Sequence, residues 1–164
     1  MWLGDRETLS GGYQLKVYIG ADHRGFPLKD RIGKLLGRRG YAVKDLGVSD
    51  DTQSCDYPEV AYRVAKAVAR TKNSRGILVC MSGIGQAIAA NKVRGAYAAL
   101  CYNAEAAALS RRHNNANILV LGAKFVKVKE IPKILDAWLS AGFEGGRHQR
   151  RFKQIQKIEK GSLK

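Results

Sequence analysis

Short apolar runs alternate with stretches of helical spacing along nearly the whole chain, and this alternation constrains the fold more than any other feature. Residues 15–19, 41–46, 76–80, 96–101 and 118–121 are brief apolar segments without polar alternation. Strands of that kind are buried on both faces, as in parallel sheets. Between them, apolar residues recur three and four apart, which is the helical period. Residues 25–39 carry Leu28, Ile32, Leu35 and Leu36 and stop at Gly40. Residues 58–70 carry Val60, Val64, Ala67 and Val68, with Pro58 in the first turn, where a missing N–H costs nothing. An Ala-rich helix opens at residues 82–85 and runs to Lys92, another covers 104–112, and residues 131–141 carry Ile134, Leu135 and Trp138. Residues 142–146 break the pattern, and 147–160 read as a last, strongly basic helix with Phe152, Ile155 and Ile158 on one face.

Strand–helix alternation predicts an α/β fold, a five-stranded parallel sheet covered by helices on both faces in a three-layer αβα arrangement. With 164 residues the chain fits a single domain. We assign that domain to residues 14–160, with a polar, Gly-rich extension at 1–13 and a short basic end at 161–164. No run approaches the roughly 20 apolar residues needed to span a bilayer. The first residues show no secretory pattern, and Cys55, Cys80 and Cys101 have neither paired nor metal-ligand spacing. Reduced thiols in a cytoplasm are the expectation. The net charge of +15 favours an anionic partner, which composition alone leaves open among nucleic acid, membrane surface and phosphorylated small molecules.

Open parallel sheets bind ligands at the carboxyl ends of their strands, so the chemistry is expected just after the strands. Gly20-Ala21-Asp22-His23-Arg24-Gly25 follows the first strand. An Asp–His pair there can bind hydroxyls and exchange protons, or Asp22 can simply cap the next helix beside a solvated His23. Cys80-Met81-Ser82-Gly83-Ile84-Gly85 forms the turn after the third strand. Its glycines allow backbone amides to approach an anion, and the same field favours a Cys80 thiolate; the alternative is a buried, inert Cys before a tight turn. His113 and Asn114 fall in a polar segment, residues 110–117, between the fourth helix and fifth strand. Arg147 and Arg151 are four apart and share a helical face, so they can clamp a phosphate or stand as a solvated basic face.

Five segments in order, GADHRGFPLK, DYP at 56–58, ILVCMSGIGQAIAANK, SRRHNNANILVLGAKFV and EGGRHQRR, resemble the sugar-phosphate isomerases of the ribose-5-phosphate isomerase type B and galactose-6-phosphate isomerase family. The resemblance spans residues 16–158 and implies a Rossmann-like sheet that interconverts aldose and ketose phosphates through a cis-enediolate, with no metal or organic cofactor. It implies that Cys80 is the proton-transfer base. Met81, Ser82, Gly83, Ile84 and Gly85 would surround the enediolate, with the Ser82 hydroxyl as a donor. His113 would open the sugar ring and Asp22 would handle the ring oxygen. His23, Arg147 and Arg151 would hold the phosphate, Asn114 would bind substrate through its amide, and Tyr57 would wall the pocket. The site would be shared in a homodimer, the helix of Arg147 and Arg151 serving the neighbour's Cys80, and two dimers could pair into a tetramer.

Some relatives place a Glu base at the position of Gln86, whose amide has no useful basicity, so the chain resembles the Cys-type branch. Met81 stands where the family usually has Gly, and Lys124 where it usually has a phosphate-binding Arg. Both differences bear on substrate identity more than on reaction class. Ribose 5-phosphate is the default substrate, and allose or galactose 6-phosphate are the alternatives. Against a basic nucleic-acid-binding protein stands the lack of stacking aromatics in the basic tail, where Phe152 is alone. Neither a membrane nor a specific nucleic acid is expected as partner. Against a non-catalytic subunit stands the retention of Asp22, His23, Cys80, Ser82, His113, Arg147 and Arg151 together.

Overall fold

The structure is a computed structural model that describes residues 15–52 and 54–163. The extension assigned to residues 1–13 and the final residue of the 161–164 end lie outside the described residues. Five strands form one parallel sheet: β1 (Lys16–Ala21), β2 (Ala42–Asp45), β3 (Ser74–Cys80), β4 (Ala98–Leu100) and β5 (Ile118–Gly122). Their spatial order is β2-β1-β3-β5-β4. The helices are α1 (Phe26–Arg38), α2 (Tyr57–Arg70), α3 (Ile84–Ala90), α4 (Ala104–Asn114), α5 (Ile131–Ser140) and α6 (Gly146–Glu159), with a 3-10 turn at Val128–Glu130.

Successive strand residues face opposite layers, which is why the strands show no polar alternation. Val17, Ile19, Ala21, Ile77, Val79, Leu119 and Leu121 pack with Leu28, Ile32 and Leu36 of α1 and with Ile134, Leu135 and Trp138 of α5. Tyr18, Leu78, Ile118 and Val120 pack on the other side with Val60, Val64 and Val68 of α2 and Ala90 of α3. The three-layer arrangement expected from sequence is therefore present.

Two features of this topology position the site. From β1 the chain crosses to β2 on one side, and from β3 it crosses to β4 on the other, so a crevice opens at the carboxyl ends between β1 and β3. The β1–α1 turn lies directly on β3: a Cβ at Gly25 would sit 2.2 Å from the Val79 carbonyl oxygen. Only glycine permits that approach, and it brings Asp22 beside Cys80.

The second feature is the direction of α4. It leaves the carboxyl end of β4 and returns to the amino end of β5, so its last turn lies at the opposite edge of the sheet. Asn117, just before β5, accepts from the Tyr97 amide at 2.7 Å and donates to the Gly95 carbonyl at 2.8 Å. Helix α6 covers this amino edge. Glu159 accepts from the Gly95 amide at 2.6 Å, and Phe152 meets Tyr97 edge-on with centroids 4.7 Å apart. Of the apolar face expected on α6, only Phe152 is buried; Ile155 and Ile158 remain exposed. Among the described residues, no helix is long and apolar enough to cross a membrane.

Candidate active site

At the carboxyl crevice, Asp22 is buried and doubly engaged. One carboxylate oxygen, Oδ1, accepts from the Gly25 amide at 2.8 Å and so fixes the start of α1. The other, Oδ2, accepts from the Cys80 thiol at 3.0 Å. Asp22 thus braces the turn that leads into α1, whose N-cap is Gly25, and partners Cys80 at once. From the far side, the Ala123 amide donates to the Cys80 carbonyl at 2.8 Å and the Lys124 amide to the Met81 carbonyl at 3.0 Å. The turn after β3 is therefore clamped between β1 and β5.

Within that turn Gly83 adopts φ +82°, the left-handed conformation, and Ser82 Oγ accepts from the Ile84 amide at 3.3 Å. Gly85 lies under the ring of Tyr57, and a Cβ there would meet its Cζ at 2.5 Å. His23 Nδ1 accepts from the Cys55 amide at 3.4 Å, and Arg24 Nη1 reaches Met81 Sδ at 3.0 Å. The Lys124 ammonium lies at the same end, over the ring of Phe125. Asp22, His23, Tyr57, Cys80, Met81, Ser82, Gly83, Ile84, Gly85 and Lys124 thus share the carboxyl end. Gln86 is fully buried, with neither amide atom bonded to another protein group.

The turn's field does act on Cys80 as the sequence implied, through backbone hydrogen bonds from Gly83 and Met81 that favour the thiolate. It does not win. Burial first, and then the hydrogen bond and charge of Asp22, push the thiol above its ordinary pKa. The turn's field on Cys80 is therefore outweighed by burial and Asp22, and the thiol donates to Asp22 Oδ2. Asp22→Asn removes a raising influence, so the Cys80 pKa should fall. In a Cys55→Ser background, the pH profile of iodoacetamide labelling should shift to lower pH in Asp22→Asn. An unchanged profile would mean that burial alone sets the thiol.

The second cluster lies at the amino edge. His113 and Asn114 lie not in a polar loop between the fourth helix and the fifth strand but in the last turn of α4, and the helix ends at Asn115 with φ +50°. Arg111, the neighbour of that turn, is buried and bonds the Ala116 carbonyl at 2.6 Å, anchoring α4 to the start of β5. The His113 ring stacks on His148 of α6, with centroids 4.1 Å apart and planes within 3°. Glu144 faces both rings, with its Oε2 at 3.4 Å from His113 Nε2 and 3.8 Å from His148 Nε2. Arg112 holds the other oxygen, Oε1, at 2.6 Å through Nε, and its guanidinium keeps the Glu144 carboxyl below the usual range. Arg147 Nε donates to His148 Nε2 at 3.4 Å. Partial burial, followed by the charges of His113 and Arg147, holds His148 below the ordinary histidine pKa.

Sequence reasoning missed Glu144, His148, Arg112 and Arg24. A signal was present for His148, one of only three histidines and the neighbour of Arg147. The larger point is the split. His113, Asn114 and Arg147 gather at the amino edge, and Arg151 follows one turn along α6, whereas Asp22, His23 and Cys80 sit at the carboxyl edge. β5, which separates the edges, has five residues, or about 16 Å at strand rise.

A profile of the family described as Ribose/Galactose Isomerase matches residues 17–155. The ribose-5-phosphate isomerase B of Escherichia coli is 44% identical over 144 residues, covering 88% of this chain and 96% of that protein. A D-erythrulose-4-phosphate isomerase of Pectobacterium atrosepticum is 41% identical over 132 residues, covering 80% of this chain and 87% of that protein. Among solved structures, the ribose-5-phosphate isomerase B of Clostridium thermocellum superposes with a TM-score of 0.86 at 46% identity, covering 89% of this chain and 98% of that one. The Mycoplasma genitalium ribose-5-phosphate isomerase B with bound ribulose-5-phosphate gives a TM-score of 0.85 at 44% identity, covering 88% of this chain and 96% of that one.

Proposed function

Because the chain belongs to the Ribose/Galactose Isomerase family, we propose that it interconverts ribose 5-phosphate and ribulose 5-phosphate, using Cys80 to carry the proton between C1 and C2. The observation that carries this reading is the 3.0 Å hydrogen bond from Cys80 Sγ to Asp22 Oδ2 beneath a glycine turn, at the topological switch of a parallel sheet. A thiol can accept a proton from carbon only after losing its own, and Asp22 is the acceptor in contact with it. The thiolate then removes the C2 proton of the open aldose and returns it to C1, while the O2 hydroxyl proton passes to O1, so that carbonyl and hydroxyl exchange places. Negative charge develops on the two enediolate oxygens, where the backbone amides of the turn and the Ser82 hydroxyl can meet it.

The amino-edge cluster completes the site from a second copy of the chain. Ring opening by His113 and phosphate binding by Arg147 and Arg151 require contact with the same sugar that Cys80 serves. In one chain these groups lie at opposite edges of the sheet, and His23 lies with Cys80 rather than with the arginines. A homodimer that sets the amino edge of one protomer against the carboxyl crevice of its partner reunites them, twice by symmetry. Arg147→Ala and Arg151→Ala should each weaken phosphosugar affinity about tenfold or more, as loss of a charge-assisted pair does. Substrate protection in a binding titration checks this, and unchanged affinity in both variants would remove the arginines from the site.

Substrate choice is tested by turnover on ribose 5-phosphate, erythrulose 4-phosphate, allose 6-phosphate and galactose 6-phosphate. The highest kcat/KM is expected for ribose 5-phosphate. A higher value on a four- or six-carbon sugar would reassign the substrate and keep the chemistry; no turnover on any would overturn the reading.

A further inference from the structure

We propose that the outward face of α6 is a sequence-independent binding site for the phosphate backbone of a nucleic-acid duplex. The phosphosugar site proposed above uses Arg147 and Arg151 of this helix. It leaves Arg150, Lys153 and Lys157 without a role, together with Lys160 at the carboxyl cap. At about 100° per residue these four fall within a sector roughly 80° wide. Buried His148 and Phe152 and half-buried Glu159 lie on the opposite side. Arg147 and Arg151 stand roughly 120° away from the sector. The helix therefore has three faces: one packed on the sheet's amino edge, one carrying the substrate arginines, and one that is a ridge of cations.

The ridge is free for an outside anion. All four of its cations are exposed, and none is ion-paired with a described residue. Glu159, the one acidic residue of α6, is held on the packed face, where it accepts from the Gly95 amide at 2.6 Å and from the Tyr97 hydroxyl at 3.3 Å. Gly146, Gln149, Arg150, Lys153, Gln154 and Lys157 line a groove of about 440 Å³ along the ridge. Its amides can donate to phosphate and sugar oxygens beside the cations.

The make-up of the ridge selects the partner. It has no apolar residue to insert into a membrane, as an interfacial helix requires. It has no aromatic platform on which unpaired bases stack, since Phe152 is buried against Tyr97. A row of cations with neutral amides fits backbone phosphate alone. From Arg150 to Lys160 the ridge runs about 15 Å, and a duplex presents a phosphate about every 1.7 Å of its axis. The net charge of +15 draws such a polyanion to the protein, and the ridge is where it seats.

Fluorescence anisotropy of a labelled duplex of about 20 base pairs, titrated with the assembled protein, tests the site. Saturable binding is expected in about 50 mM NaCl, and four phosphate contacts predict a fall of roughly a hundredfold by about 200 mM. Two duplexes of unrelated sequence should bind alike. Arg150→Gln/Lys153→Gln/Lys157→Gln/Lys160→Gln, checked by circular dichroism, should weaken binding at least about tenfold and flatten the salt dependence. Its kcat/KM on ribose 5-phosphate should be unchanged. The charge-matched control Lys72→Gln/Lys127→Gln/Lys129→Gln/Lys133→Gln, at four exposed lysines off α6, should bind nearly as the wild type does. DNA and RNA duplexes of one sequence form separate arms, and the tighter arm identifies which of the two seats here. No saturable binding, equal losses in the two charge-matched variants, or tighter binding to a single strand of the same length overturns the proposal. Binding to phosphatidylserine vesicles with none to duplex overturns it as well. So does turnover that falls in parallel with duplex binding, which would assign the ridge to the phosphosugar.

Discussion

Replacing Cys80 with Ala is expected to lower isomerisation by roughly 10²–10⁴-fold or more, the contribution of a positioned proton-transfer group. Phosphosugar binding should persist, because Cys80 is not among the groups assigned to the phosphate. Gln86 is no substitute: it is an amide, buried away from solvent. Asp22 cannot replace the thiol without moving, because its two oxygens are committed to the Gly25 amide and to the position Cys80 occupies. The raised thiol pKa adds a signature. Deprotonation is favoured as pH rises, so kcat/KM should climb through the alkaline range in the wild-type protein, and the residual rate of Cys80→Ala should lose that limb. Near-normal turnover in Cys80→Ala would remove it from the mechanism.

The second large effect is expected at His113. On cyclic ribose 5-phosphate, His113→Ala should lose roughly 10²–10⁴-fold in rate, because ring opening needs an acid–base group to move the anomeric hydroxyl proton as the ring oxygen leaves. Ribulose 5-phosphate is already open-chain. Its conversion, followed with the aldose trapped chemically, should fall much less. Equal losses in the two directions would place His113 in the isomerisation step or in binding. The cluster around it makes a conservative control available. Glu144→Gln keeps the ring and removes the carboxylate 3.4 Å away, so it should cost far less rate than His113→Ala.

Much of this arrangement was legible in the sequence, for identifiable reasons. Strands such as residues 76–80 and 118–121 are apolar on both faces because helices cover both, and that pattern reports the layer structure directly. Asp22 and Cys80 could be placed because Asp22 comes immediately after such a strand and Cys80 ends one. The spatial order of the strands was not legible, since insertion of β5 between β3 and β4 depends on crossover packing rather than on local pattern. The meeting of Asp22 and Cys80 depends on it too, through the close approach of Gly25 to β3. His113 was misplaced for a simpler reason. Asn residues 114, 115 and 117 suggested a loop, whereas α4 continues through Asn114 and only Asn115 takes the left-handed conformation. The balance at Cys80 also escaped the sequence, because the desolvation that outweighs the turn's field arises from packing by β1 and β5.

The central claim is that one site is built from two chains, Cys80 from one and the cations and His113 from the other. Mixing inactive Cys80→Ala protein with inactive Arg147→Ala/Arg151→Ala protein tests it most directly. In a mixed dimer, one site carries both defects and the other carries none. Random exchange of equal amounts should then restore about a quarter of the wild-type activity, half the dimers having one of two sites intact. Recovery near that level is the predicted result. No recovery, with subunit exchange confirmed by a mass-tagged partner, would contradict the account and place each complete site within a single chain.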